Sequence, residues 1–402
     1  MPAGLLPEDE LCLLLARAHL SPEARTRVVD LVALPLRWDA LWQRAEEHQV
    51  LPLLYRNLLS LKFHGVPGEV QAKLGENFRL NAVRAMLFVA ELRRLLGLLR
   101  EAGIRAIPLK GVALAQALYG DPAFRMCSDT DILVPADEAV RARRLLLAHG
   151  YTSFFTEDFF LKHQFSTSAD CPLTARRGGL SYFLELHWTL LQHSSVDRQA
   201  MQDIWSSASP QEFFGAPGYG LSPEWQFLYL AAHAAYHRWQ TLKWVADLHD
   251  LCASTAIDWP VVRAKAAQFH LEFAVGTTLT VCSLLYGMPP PAGLSPLPLP
   301  AGVKLYPHSL DSEQAWDAPL FYPQLLQRPA EKLRWFLEMF FVARMADRLA
   351  FPLPESLEFL YYFLRPLRLS WKWSRLLLAA GVRKLRQRWA FPTRPTSGRL
   401  SH

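Results

Sequence analysis

The sequence predicts an α+β chain in which a small mixed sheet is set between helical N- and C-terminal regions. Three observations carry that prediction. Residues 9–95 repeat apolar positions at three-and-four spacing, as in LWQRAEEHQVLPLLYRNLL, the period of a helix with one buried face. From Gly103 to about His187 short β-like runs alternate with helical periods. After about Ala200 helical spacing returns, in EWQFLYLAAHAAYHRWQTLKWVADLHDLC.

In order along the chain, Pro22, Pro35, Pro52 and Pro67 punctuate the first helices, and the run from Val70 to Leu99 is the longest of them. IRAIPL, after Gly103, reads as a first short strand that ends at Lys110-Gly111, where VALAQALYG resumes a helical period. A second strand spans Asp131 to Val134, and Pro135 and Asp137 open the helix DEAVRARRLLLAHG. Gly150 closes it as a C-terminal glycine does. From Tyr151 the pattern turns extended, and SYFLELHWTL alternates as a strand after the turn Arg177-Gly178-Gly179. A Pro-rich break separates the later helices between Pro289 and Pro300, and no repeat is found at solenoid periods. The predicted regions are therefore a helical one over 1–95, an α/β core over 96–195, a helical region walling the cleft over 196–305, and a C-terminal helical region with a basic tail over 306–402.

Composition excludes several classes. With 402 residues, 51% of them hydrophobic, the chain exceeds one typical core and has ample material for more than one. Its five cysteines, Cys12, Cys127, Cys171, Cys252 and Cys282, are odd in number and form no C-x-x-C pair, against a disulfide framework or a zinc ribbon. The acidic start MPAGLLPEDELCLLLARAHL lacks the features of a signal peptide, and the apolar stretch Phe273 to Met288 is too short for a span. A buried helix and a cytoplasmic setting are expected. The net charge of +6 is unevenly placed, since no acidic residue follows Glu358 while ten Lys or Arg lie between Arg365 and Arg399. Without those ten the chain is net acidic, so the basic character belongs to the tail.

Asp129 and Asp131 are two apart at the head of Asp-Ile-Leu-Val, and on an extended backbone both carboxylates point to one face. Two carboxylates on one face can share a hard cation of the kind that bridges protein to phosphate. Glu185, between Leu184 and Leu186 on a later strand, is the candidate third ligand. A lone D-x-D is more often a solvated or capping pair, and its neighbours change the balance. Lys110-Gly111 at a strand-to-helix turn offers backbone amides and a point charge to a phosphate.

The order LKG, a tyrosine-bearing helix, R-x-x-x-D-x-D-I-L-V, G-Y at a helix end, and E-L-H-W is carried here by Lys110, Gly111, Tyr119, Arg125, Asp129, Asp131, Gly150, Tyr151, Glu185, His187 and Trp188. It resembles the uncharacterised bacterial nucleotidyltransferases of the DNA-polymerase-β-like superfamily. The resemblance runs over roughly residues 35–370 and is most specific between 107 and 250. It implies a polymerase-β-like mixed sheet, Mg²⁺ or Mn²⁺ held by Asp129, Asp131 and Glu185, and nucleotidyl transfer from a nucleoside triphosphate such as ATP to an acceptor it does not name: small molecule, peptide or nucleic acid. The superfamily's glycine-serine phosphate turn is Lys110-Gly111 here, with no serine after the glycine. Lys110 is the substitute for gripping phosphate.

Further residues invite roles. His233 and His237 stand at i and i+4 on a predicted helix; they line the nucleotide or acceptor cleft, hold zinc with Asp247, or are satisfied core histidines. Arg125 is placed to reach a phosphate or to form a surface ion pair. His187 shares the Glu185 face and either orients that carboxylate or accepts the nucleophile's proton. Arg176 and Arg177 precede the Glu185 strand in a solvated loop. The tail RPLRLSWKWSRLLLAAGVRKLRQRW suits peripheral contact with an anionic membrane, nucleic-acid binding, or a packed terminal helix. Two other classes compete with the nucleotidyltransferase: an inactive scaffold of the same fold and a D-x-D glycosyltransferase. Three converging carboxylates also repel one another, so neutralising Asp131 is expected to leave the metal-free protein as stable or more so.

Overall fold

The structure, a computed structural model, describes residues 4–165, 168–190, 198–301, 303–308, 318–326 and 328–389. The chain divides into two compact units, Met1–Gln327 and Arg328–His402.

The first unit begins with helices α1 (Pro7–Leu15), α2 (Pro22–Val32), α3 (Trp38–Glu47), α4 (Leu51–Ser60) and the long α5 (Gly68–Glu101). Proline fits at the starts of α1 and α2 because a helix's first amides have no internal partner anyway. Strand β1 (Ile107–Pro108), helix α6 (Gly111–Tyr119), strand β2 (Thr130–Leu133), helix α7 (Ala139–Ala148), and strands β3 (Asp170–Arg177) and β4 (Leu180–His187) form the α/β part. The sheet order is β1-β2-β4-β3, with β2 parallel to β4 and the other pairs antiparallel. The mixed sheet expected from the sequence is present. At the β3–β4 turn Gly178 and Gly179 both have positive φ, +57° and +79°, the backbone that a two-residue hairpin of matching twist requires.

The sheet has two faces because side chains alternate along its strands. Ile132, Leu184 and Leu186 enter one core with Leu92, Leu95 and Leu99 of α5 and with Ala142 and Leu146 of α7. Asp131, Glu185 and His187 fall on the other face.

Helices α8 (Arg198–Ser207), α9 (Pro223–Tyr236), α10 (Leu242–Ser254), α11 (Trp259–Gln268), α12 (Glu272–Tyr286) and α13 (Ala318–Leu325) follow. They do not form a body separate from the N-terminal helices. Leu11, Leu15, Leu31 and Leu54 from the first helices share one core with Phe227, Val245, Val275 and Leu279. Serine and aspartate caps set the starts of α9 and α11, where Ser222 Oγ accepts from Trp225 N at 3.3 Å and Asp258 Oδ1 from Val261 N at 3.1 Å. The apolar stretch from Phe273 lies in α12, where Thr277 and Thr278 are buried and Trp239 Nε1 donates to Thr278 Oγ1 at 2.9 Å. Among the described residues no helix is long and apolar enough to cross a membrane.

Two local expectations are corrected. The segment after Tyr151, read as extended, contains a helical turn, Glu157–Phe159, continued by a π-helical turn, Phe160–Gln164. Thr156 Oγ1 caps it by accepting from Phe159 N at 3.3 Å, and the Phe155 and Phe159 rings stack at 5.3 Å; the aromatic run is a local cluster rather than a strand face. After Ala200 the chain is not wholly helical either. Strands β5 (Ser209–Phe213) and β6 (Ala216–Gly220) form a hairpin that reaches β1's side through Tyr219 N donating to Ala106 O at 2.9 Å.

The second unit holds α14 (Pro329–Phe341), α15 (Met345–Ala350) and α16 (Tyr361–Trp389). Asp347 is buried there, with Arg365 Nη1 and, at 2.6 Å, Arg368 Nε donating to its carboxylate. Two of the ten basic residues beyond Glu358 are therefore held internally, sharing the single negative charge of Asp347.

Candidate active site

The parallel pairing of β2 with β4 places Asp131 beside Glu185 and Leu133 beside His187. His187 Nε2 then lies 3.4 Å from both Asp131 Oδ1 and Glu185 Oε2. Each of Asp131, Glu185 and His187 offers a ligand atom, and these atoms lie within 4.8 Å of one another. Asp131 is buried, and neither of its carboxylate oxygens has a hydrogen-bond partner; both ring nitrogens of His187 are in the same condition.

Lys110 completes the cluster. Leu109 N donates to Asp131 O at 3.0 Å, which brings the end of β1 alongside β2 and sets Lys110 Nζ 3.1 Å from Asp131 Oδ1. Gly111 then takes φ +65°, where a side chain is strained, and a Cβ there would stand 3.6 Å from Asp129 O. The glycine is needed for the turn that presents Lys110.

The charges follow from burial and neighbours. Burial pushes the Asp131 carboxyl up, but the Lys110 ammonium and His187 hold it well below the usual carboxylate range. For Lys110 burial opposes the charge, and the Tyr229 phenol with the Asp131, Asp129 and Glu185 carboxylates outweighs it, so the amine stays protonated. His187 is likewise opposed by burial and lifted by Asp131 and Glu185 to about 9. The carboxylates of the metal-free site are thus neutralised by the chain's own cations, and the repulsion expected from the sequence does not dominate. Buried carboxylate oxygens held by nearby cations rather than by well-aligned hydrogen bonds, with one imidazole beside them, fit a divalent ion such as Mg²⁺ or Mn²⁺.

Asp129 does not join the converging atoms. It stands one residue before the first paired residue of β2 and is half-buried, so the strand's alternation does not fix its side chain. His187 occupies the third place in the cluster instead.

Arg125 is placed differently from the expected phosphate contact. Its guanidinium is buried and donates to Asp247 through Nε at 3.0 Å and Nη2 at 2.9 Å, while Tyr119 OH donates to the same carboxylate at 3.0 Å. The pair ties the segment before β2 to α10. Lys243 Nζ adds a bond to Met126 O at 3.2 Å. With Asp247 so engaged, the zinc alternative for His233 and His237 loses its oxygen ligand. Removing one partner of a buried ion pair costs about 3–5 kcal/mol. Arg125→Met is therefore expected to destabilise the protein by an amount in that range in chemical denaturation, with Asp247→Asn recovering part of it in the double variant. A wild-type midpoint for Arg125→Met would show that the pair is not formed.

Above the sheet face lies a cavity of about 240 Å³. Lys110, Glu185 and His187 line one side and Tyr229, His233 and His237 the other. The His233 and His237 rings meet at 4.6 Å, and His237 lies 4.8 Å from the Trp244 ring. Burial and the charge of Lys110 lower His237 to about 4 and push His233 well below its ordinary value, so both are neutral at pH 7. Tyr229 was not singled out in the sequence, yet it stands four residues before His233, as His233 stands four before His237, on one helical face. Asp170, also on the wall, pairs in register with His187; nothing in its local pattern marks it. Arg177 lies outside the site, donating to Glu91 Oε1 at 2.9 Å and His149 O at 2.8 Å, and Arg176 is exposed.

A family model described as "Uncharacterised nucleotidyltransferase" matches residues 35–287. Among solved structures the chain is similar to an antigenic nucleotidyltransferase-like protein from Paracoccidioides brasiliensis, at 16% identity and a TM-score of 0.34, over 51% of this chain and 95% of that one. No curated protein matches the chain.

Proposed function

The chain belongs to the uncharacterised nucleotidyltransferase family, and from that premise we propose that it transfers a nucleotidyl group from a nucleoside triphosphate to an acceptor hydroxyl, with a divalent metal and with release of pyrophosphate. The observation that carries this is the convergence of Asp131, Glu185 and His187 on one sheet face beside Lys110. A bound Mg²⁺ or Mn²⁺ supplies positive charge to the phosphate oxygens and to the leaving group.

The chain's own residues divide the remaining work. Asp131 and Glu185 hold the cation from two hydrogen-bonded strands, so their spacing is fixed before any ligand arrives. Asp129, at the mouth of β2, would be the next carboxylate in reach of a bound cation. Lys110 leaves Asp131 and takes the triphosphate, with the Gly111 amide at the start of α6 beside it. The acceptor oxygen attacks the α-phosphorus, the bond to the bridging oxygen breaks, and the hydroxyl proton passes to Glu185, or to His187 where that imidazole has first lost the proton it holds between Asp131 and Glu185. Neutral His233 and His237 wall the cleft without adding charge against the triphosphate's counter-ions.

One observation favours a catalytically silent scaffold: the Lys110 ammonium already sits 3.1 Å from Asp131, where a cation would bind. A sugar-nucleotide transferase gains no such support, since the family match over residues 35–287 is to nucleotidyltransferases. Label transfer decides. Purified protein with each α-labelled triphosphate, Mg²⁺ or Mn²⁺, and fractionated lysate should label an acceptor, and Glu185→Gln should reduce that labelling at least about a hundredfold. Equal labelling by wild type and Glu185→Gln would end the proposal.

A further inference from the structure

The second unit carries a surface that the nucleotidyl chemistry does not use. Along α16, Phe363, Leu367 and Trp371 recur at four-residue intervals and are 65%, 68% and 69% exposed. On a helix such spacing makes a row along one side. Just before the helix, Phe359 adds to it at 55%. The opposite side is held by Tyr361, Arg365 and Leu369, all buried, and the bonds of Arg365 and Arg368 to Asp347 fix which side faces out. The helix continues through Arg375, Arg383, Lys384, Arg386 and Arg388 to Trp389, with no acidic residue after Glu358.

We propose that this unit docks on an anionic lipid surface, with α16 lying in the plane of the interface. Exposed apolar bulk and cationic charge on one helix are the two elements of an interfacial anchor. The Phe363–Leu367–Trp371 row enters the boundary between headgroups and acyl chains, and Trp371 suits that depth, having an apolar ring and a polar N–H. Arg375 meets the headgroup phosphates, its aliphatic stem lying along the apolar layer, and the sequence beyond it adds charge of the same sign. A nucleic acid explains the charge but not the row: phosphate neutralisation asks nothing of Leu367, which has no ring to stack on a base. A surface bearing many negative charges also suits a run with no acidic residue better than one acidic protein partner does, because every additional Lys or Arg near it adds attraction.

The test uses the full chain and does not read turnover, so it is independent of the chemistry proposed above. Sedimentation with vesicles of phosphatidylcholine alone is compared with sedimentation with phosphatidylcholine mixed with phosphatidylserine. Wild type should pellet with the mixed vesicles and at least about tenfold less with the neutral ones, and added salt should weaken the binding. The triple variant Phe363→Ser, Leu367→Ser, Trp371→Ser should lose at least about tenfold of the affinity for mixed vesicles. These side chains are exposed, and circular dichroism of the variant should match wild type. Equal sedimentation with neutral and mixed vesicles overturns the proposal, as does a triple variant that binds like wild type. Retention on single-stranded RNA that is unaffected by the triple substitution, with no vesicle binding, would assign the basic run to nucleic acid instead.

Discussion

Replacing Asp131 with asparagine should destabilise the metal-free protein by about 3–5 kcal/mol, the cost of breaking a buried ion pair from one side. The sequence alone leads to the opposite expectation, because three carboxylates on one face repel and neutralising one should help. The structure changes the sign through a single contact. Lys110 Nζ is 3.1 Å from Asp131 Oδ1, and the two side chains are 11% and 1% exposed. Asparagine would leave that ammonium buried with only the longer-range attraction of carboxylates such as Asp129 and Glu185. Lys110→Met should also destabilise, though less, since His187 remains 3.4 Å from Asp131. In the double variant Lys110→Met, Asp131→Asn both charges are gone, and its loss should fall short of the sum of the single losses by at least about 1 kcal/mol, a coupling of the size measured between contacting residues. Denaturation in the presence of a chelator reads all three. If Asp131→Asn melts at or above wild type, carboxylate repulsion governs the site and the Lys110 pairing is wrong.

The legible parts of this protein were those in which a local pattern has one physical meaning. A strand ending in Lys110-Gly111 before a helix, and Asp131 and Glu185 in short apolar strands, were readable because chain alternation and turn chemistry are local properties. Their adjacency is not local. The β2–β4 pairing joins residues more than fifty positions apart, so the sequence offers the Glu185 strand only as one that can lie beside the first, and the register Asp131↔Glu185 fixes it. Asp129 shows the limit of the pattern: period two applies only where a ladder holds the backbone, and the ladder starts at Thr130. His187 was legible as a face-mate of Glu185, but its 3.4 Å approach to Asp131 depends on the strand pairing.

In the sequence Arg125 reads as a phosphate contact or a surface ion pair and Asp247 as an oxygen ligand, whereas they form a buried ion pair with one another across 122 positions. A buried arginine and a buried aspartate look functional in a sequence because nothing local neutralises them. The hairpin at Ser209–Gly220 was lost for another reason: ASPQEFFGAPGYG is short and sits between two strongly helical stretches, so the helical reading after Ala200 ran through it.

The second large effect is on metal uptake, and it separates an enzyme from a silent scaffold. A divalent ion and the Lys110 ammonium both seek Asp131, and two cations so close repel strongly in a buried site. Wild-type protein should therefore take up Mn²⁺ poorly when no nucleotide is present. Lys110→Met removes the competitor, and nucleotide-free Mn²⁺ affinity should rise at least about tenfold, or 1.4 kcal/mol. A non-hydrolysable triphosphate should do the same for wild type, because its phosphates give the ammonium another partner and bring oxygens of their own to the ion. Lys110→Met should gain much less from the triphosphate, having no ammonium to relocate, and Glu185→Gln should bind Mn²⁺ more weakly in every condition. Calorimetric or spin-resonance titration with and without the triphosphate measures each case. If Lys110→Met binds Mn²⁺ while wild type refuses it even with triphosphate, the lysine is a permanent occupant and the protein is a scaffold. If neither form binds Mn²⁺ in either condition, Asp131, Glu185 and His187 are not a metal site, and the metal-dependent transfer proposed for them fails.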